Sequence, residues 1–127
     1  MPPATTVASA AGRAGPWPRA LAAVAWAWTL AIFVFLWMPP PPPPEIVWPW
    51  WDSLVHTGLL ATFGVLWTWR GLGTARVLGL GATIGAVTEI GQALLPWERH
   101  CSWDDLAFDL LGVTLGWIVA GGPWRRR

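Results

Sequence analysis

His56, Glu89, Gln92 and Asp109 each interrupt a stretch of sequence that is otherwise almost wholly apolar. An imidazole beside buried carboxylates can exchange protons near neutral pH, and carboxylates accept hydrogen bonds from hydroxyls and amines. No Ser, Thr or Cys stands in a recognisable nucleophile setting, and Cys101 is the single cysteine, which excludes an intrachain disulfide and any multi-cysteine metal site. Asp52, His56, Glu89 and Asp105 offer oxygen and imidazole donors that would suit a divalent metal as an alternative, but their spacing matches no metal signature, so no metal and no cofactor is expected from sequence.

The spacing does place each set on one helical face. Asp52 and His56 are separated by four residues; Glu89, Gln92 and Pro96 fall at i, i+3, i+7; Asp105, Asp109, Gly112 and Gly116 fall at i, i+4, i+7, i+11. Gly81 and Gly85 lie on the Glu89 stripe, and Gly112 and Gly116 continue the Asp109 stripe. Small residues at this interval let helices approach closely in lipid. With 1.5 Å of rise per residue, His56, Gln92 and Asp109 sit roughly 6 Å inside the ends of their segments, and Glu89 about 10 Å. Three helices thus deliver polar groups to nearly one level, above their glycines.

The elements that carry these residues follow from hydropathy. The chain has 127 residues, 54% hydrophobic and 12% charged, with 13 Trp, no Tyr and only arginine as a basic residue. That charge content is about half the soluble average. Four apolar segments are long enough to be read as membrane helices: Ala20 to Met38, Leu54 to Trp69, Val77 to Leu95, and Leu106 to Gly121. The first is preceded by Arg13 and Arg19 but followed by prolines, not by a small-residue cleavage site, so it is read as a retained anchor. Pro39 to Pro44 form an extended polyproline arm in the outer loop. The expected fold is therefore an all-α four-helix transmembrane bundle, with a domain at 20–122, a tail without fixed structure at 1–19 and a basic tail at 123–127.

Charge sorting gives an orientation. Arg13, Arg19, Arg70, Arg76, Arg125, Arg126 and Arg127 all fall on one side of a four-span chain, and every acidic residue falls toward the other, joined only by Arg99. Arginine-rich loops stay cytoplasmic, so both termini are expected there. Trp48, Trp50, Trp51, Trp97 and Trp103 form an outer aromatic belt, and Trp67, Trp69 and Trp124 an inner one. No basic run is interleaved with aromatics, so a nucleic-acid partner is not expected. A cytoplasmic half without polar residues is a poor channel or proton path.

Asp52-x-x-x-His56, then Glu89-x-x-Gln92-x-x-x-Pro96, then Arg99, Ser102, Asp105, Asp109, Gly112 and Gly116 resemble, in order and by span, the VanZ-like family of small bacterial membrane proteins. The resemblance runs from about Trp51 to Ala120. Ser53 and Thr57 stand where the family usually has Lys and Phe, Trp97-Glu98 lengthens the loop before Arg99, and Asp109 replaces an Asn. The resemblance implies a multi-pass protein of the bacterial cytoplasmic membrane, linked through the family to teicoplanin and glycopeptide resistance. The site carried over is Asp52, His56, Glu89, Gln92, Arg99, Ser102 and Asp105, with Asp109 by position. Its expected partners are membrane lipids, with the head group of an envelope lipid or lipid-linked cell-wall precursor as ligand. Arg99 would grip phosphate, while Gln92, Ser102 and the carboxylates meet hydroxyls or amines. Two other readings are a non-catalytic assembly or scaffold subunit, and an acid–base membrane enzyme using Glu89 with His56 on an envelope lipid.

Overall fold

The computed structural model describes residues 16–39, 50–97 and 101–124. Arg99, most of the proline arm, the first fifteen residues and the last three arginines lie outside the described residues. What is described is all-helical: α1 (Pro16–Trp37), α2 (Trp51–Trp69), α3 (Thr74–Leu94) and α4 (Trp103–Val119), followed by a short 3₁₀ turn at Gly122–Trp124, with no strand among the described residues. α1 and α3 are long and apolar enough to cross a membrane. The 19 and 17 residues of α2 and α4 span roughly 28 and 26 Å.

Local chemistry sets the boundaries. α1 stops before Pro39, which cannot donate to a continuing helix. Leu95, just before Pro96, turns to an extended conformation with φ −82° and ψ 148°, as steric pressure from the proline ring requires. α2 begins at Trp51, so Asp52 and Ser53 lie in its first turn and Asp52 faces the positive end of the helix dipole. It ends in a Schellman turn: Gly71 takes φ +88°, its N–H donates to the Thr68 carbonyl at 2.9 Å, and the Leu72 N–H donates to Trp67 at 3.1 Å. That turn brings α3 back beside α2. Ser102 caps α4, its Oγ accepting from the Asp105 N–H at 3.2 Å.

α2 and α4 make the most extensive pair, and α3 packs next on α4. The reason is the missing side chains. A Cβ on Gly112 would strike the backbone of Thr57, one on Gly116 the carbonyl of Ala61, and one on Gly64 the carbonyl of Val113. Thr57, Ala61 and Gly64 thus form the small face on α2 that receives Gly112 and Gly116. On α3, Gly81 makes room for the side chain of Val113 and Gly85 for that of Asp109, each closer than a Cβ would allow. Phe63, Leu60, Val77 and Val113 fill the interior below this level.

α1 attaches differently. The Trp28 indole N–H donates to the Leu59 carbonyl at 3.0 Å, and the Trp67 indole N–H donates to Thr29 Oγ1 at 3.1 Å. At the far end, the Gln92 amide donates to the Leu36 carbonyl at 3.1 Å and the Trp37 indole to the Thr88 carbonyl at 3.4 Å. Three of these four bonds join a side-chain donor to a backbone carbonyl. Trp26 is largely exposed and meets Trp67 edge-on at 4.9 Å.

Candidate functional site

One end of the bundle gathers the C-terminal ends of α1 and α3 and the starts of α2 and α4. Arg70 and Arg76 flank the α2–α3 turn at the opposite end, exposed to the surroundings. The polar level lies beneath the first end.

His56, on the second turn of α2, is fully buried, as is Asp109 on α4; Glu89 on α3 is 2% exposed. His56 Nδ1 is 3.1 Å from Asp109 Oδ1, a hydrogen bond in which the ring donates when its proton sits on Nδ1. Glu89 Oε1 is 3.8 Å from the same nitrogen. The other carboxylate oxygen of Glu89 accepts from the Ser102 backbone N–H at 2.7 Å. Glu89 is one turn deeper than Gln92 by backbone position, yet its side chain reaches up to the start of α4. Rise along the helix axis alone underestimates that reach.

A second layer lies nearer the surface. The Ser53 hydroxyl donates to Asp105 Oδ1 at 2.9 Å, joining α2 to α4. Asp105 is half-buried and Asp52 exposed, and together with His56 they make a set of three ligating groups within 4.8 Å. His56 therefore belongs both to this outer set and to the buried set with Glu89 and Asp109. Thr57 donates to the Ser53 carbonyl at 2.8 Å, one turn back, which keeps its hydroxyl out of the cluster.

The residues singled out from sequence thus fall into groups. His56, Glu89 and Asp109 meet directly; Asp105 and Asp52 stand above them. Gln92 is buried but its amide reaches α1, where it satisfies a carbonyl of the last turn. The Ser102 hydroxyl is engaged as the α4 cap, and it is the Ser102 backbone N–H that meets Glu89. Asp104 is exposed in the first turn of α4, where a carboxylate favours the helix dipole. Arg99 lies outside the described residues. Gly81, Gly85, Gly112 and Gly116 all stand at close helix contacts.

No family model, curated protein or solved structure matches this chain. Its chemistry has to be read from its own geometry.

Sequence reasoning passes over Ser53 as a hydrogen-bonding partner, marking it only where the family has Lys. The signal is available, because Ser53 precedes His56 by three residues and shares its face. Gly64 and Ala61 are also passed over, although Thr57, Ala61 and Gly64 repeat the i, i+4, i+7 spacing of small residues. Trp37 and its contact with Gly91 carry no such signal, since the α1–α3 pairing is set by tertiary packing.

Proposed function

We propose that this chain is a VanZ-like protein of the bacterial cytoplasmic membrane that crosses four times, keeps both termini in the cytoplasm, and binds the polar head group of an envelope lipid or lipid-linked cell-wall precursor at its outer face. The observation that carries this reading is the inverted polarity of the helix bundle. His56, Glu89, Gln92 and Asp109 are buried, while Val24, Leu30, Val34, Leu54, Val87, Ile90, Leu94, Leu111, Leu115 and Val119 face outward from all four helices. Water does not favour an apolar surface of that extent, and lipid does. Arg70 and Arg76 at one end, against Asp52, Asp104 and Asp105 at the other, support the cytoplasmic assignment of the α2–α3 turn.

Asp52 and Asp105 offer carboxylate acceptors at the outer surface, with Ser53 beside them, and the buried triad of His56, Glu89 and Asp109 lies just beneath. Sugar hydroxyls and amines are the groups such acceptors hold. Arg99, by its place in sequence between Pro96 and Ser102, is the phosphate-binding candidate.

Native mass spectrometry of the protein released from nanodiscs of host lipid tests this. A retained envelope lipid or precursor is expected on the unaltered chain and absent from Asp105→Asn and Arg99→Ala. In cells, Glu89→Gln that still inserts is expected to lose any glycopeptide tolerance that the chain confers. Unaltered lipid retention in both variants, with tolerance unchanged, would overturn the reading. The scaffold reading is favoured by one observation: Gln92 and the Ser102 hydroxyl are both committed to holding helices. It predicts that polar-to-apolar changes alter stability and leave lipid retention as it was.

A further inference from the structure

Hydrogen bonding among its own members does not satisfy the buried triad. Glu89 Oε1 and Asp109 Oδ2 are enclosed and have no hydrogen-bond partner, and neither has His56 Nε2 on the far edge of the ring. The triad holds two carboxylates and one imidazole, so with both carboxylates ionised it carries a net negative charge even when His56 is protonated. The chain contains no lysine. Of its arginines, those among the described residues are Arg19, Arg70 and Arg76, all at the opposite end of the bundle. An uncompensated buried charge is costly, so something positive, whether protons, Arg99 or a bound cation, has to offset it.

The geometry indicates what. One ligating atom from each of His56, Glu89 and Asp109 lies within 4.8 Å of the others. Two of the separations, 3.1 Å and 3.8 Å, run from the imidazole nitrogen itself. Ligands held at 2.0–2.1 Å around a tetrahedral ion stand about 3.3 Å apart, so these separations bracket the edge of one coordination shell. We propose that His56, Glu89 and Asp109 form a binding site for one divalent transition-metal ion of the zinc or manganese type. One imidazole with two carboxylates is a donor set that such ions accept, and three protein ligands leave a coordination position open. Asp52 and Asp105, which form the second ligating set with His56, supply carboxylates from the exposed surface down to the triad and so a route in. Gly85 completes the design: the Asp109 carboxylate rests against it, where a Cβ would come within 2.8 Å of Oδ2. Spacing singles out the three residues but shows no metal signature, because the ligands come from three helices and lie far apart in sequence.

The inference stands independently of head-group binding, since metal content is read without lipid. Purified full-length protein in detergent, loaded with zinc or manganese and passed through a desalting column, is expected to retain one equivalent by elemental analysis. Chelator removes it. Cobalt loading is expected to give d–d absorption bands, and X-ray absorption at the zinc edge a shell of one nitrogen with oxygens. Asp109→Asn, nearly isosteric, is expected to weaken binding roughly tenfold or more, while Asp104→Asn binds as the unaltered chain does. Helical circular dichroism checks that each variant is folded. If Asp109→Asn does not fold, the stoichiometry and spectra of the unaltered chain decide. Substoichiometric metal on a folded, unaltered protein, or equal binding by Asp109→Asn, would overturn the site and leave protons as the neutralising charge.

Discussion

His56 presents a single nitrogen to two carboxylates, Asp109 at 3.1 Å and Glu89 at 3.8 Å, from two other helices. Side-chain bonds of this kind inside membranes couple by about 0.6 kcal/mol on average and up to about 1.7. A double-mutant cycle of His56→Gln and Asp109→Asn, read by reversible unfolding in detergent without added metal, is therefore expected to give a coupling within that range. A coupling of zero would show that the short contact contributes nothing. Trp67 makes a lesser statement of the same kind. Trp67→Phe keeps an aromatic ring against Phe63 and Trp26 but removes the donor to Thr29, and is expected to cost about 0.5–1.5 kcal/mol in the same assay. At this scale the sequence is informative about which residues matter and less so about what each one does. Residue type and helical spacing single out His56, Glu89 and Asp109, whose burial has no cheaper explanation than partnership. They do not reveal that Gln92 turns to α1 or that Ser102 contributes its backbone N–H to Glu89, because both depend on loop geometry around Pro96 and on the α4 cap.

The helices meet where side chains are missing. Gly112 and Gly116 on α4 lie against the backbone of Thr57 and Ala61 on α2, with no space between for a methyl group. Gly116→Ala has to push α2 and α4 apart and is expected to destabilise the fold by about 1–3 kcal/mol, measured as a lowered midpoint in detergent unfolding. Gly58, also on α2, has nothing within 4 Å of where its Cβ would stand. Gly58→Ala is expected to be neutral or to stabilise by up to about 1 kcal/mol, through helix propensity alone. Equal effects of the two substitutions would mean that composition, not contact, governs the helix pair. Helix boundaries are largely legible, since prolines and apolar runs delimit them. Pairing is only half legible: the glycines of α3 and α4 stand out in sequence, but the matching face on α2 is built of Thr57, Ala61 and Gly64, which look ordinary until paired.

For the whole molecule, the charge asymmetry makes a directional prediction that Cys101 can report. It is exposed just before α4, at the same end as the polar cluster. In intact cells a membrane-impermeant maleimide is expected to label Cys101. A Cys101→Ser chain carrying Gly73→Cys, in the turn before α3, is expected to react only after lysis. The reverse pattern would invert the orientation proposed above, and labelling of both would remove it. Sequence alone supports such an orientation because arginine placement along the chain is a linear property. How deep the polar groups lie is not, since it depends on side-chain reach as well as on position.

α1 is fastened by indole and amide hydrogen bonds to its neighbours, while α2, α3 and α4 interlock through bare backbone. The residues that α1 grips, among them Leu59 and Thr88, are all translated after it. Along the described chain α1 is made before either helix it grips, so its bonds to α2 and then α3 close only as those later segments emerge.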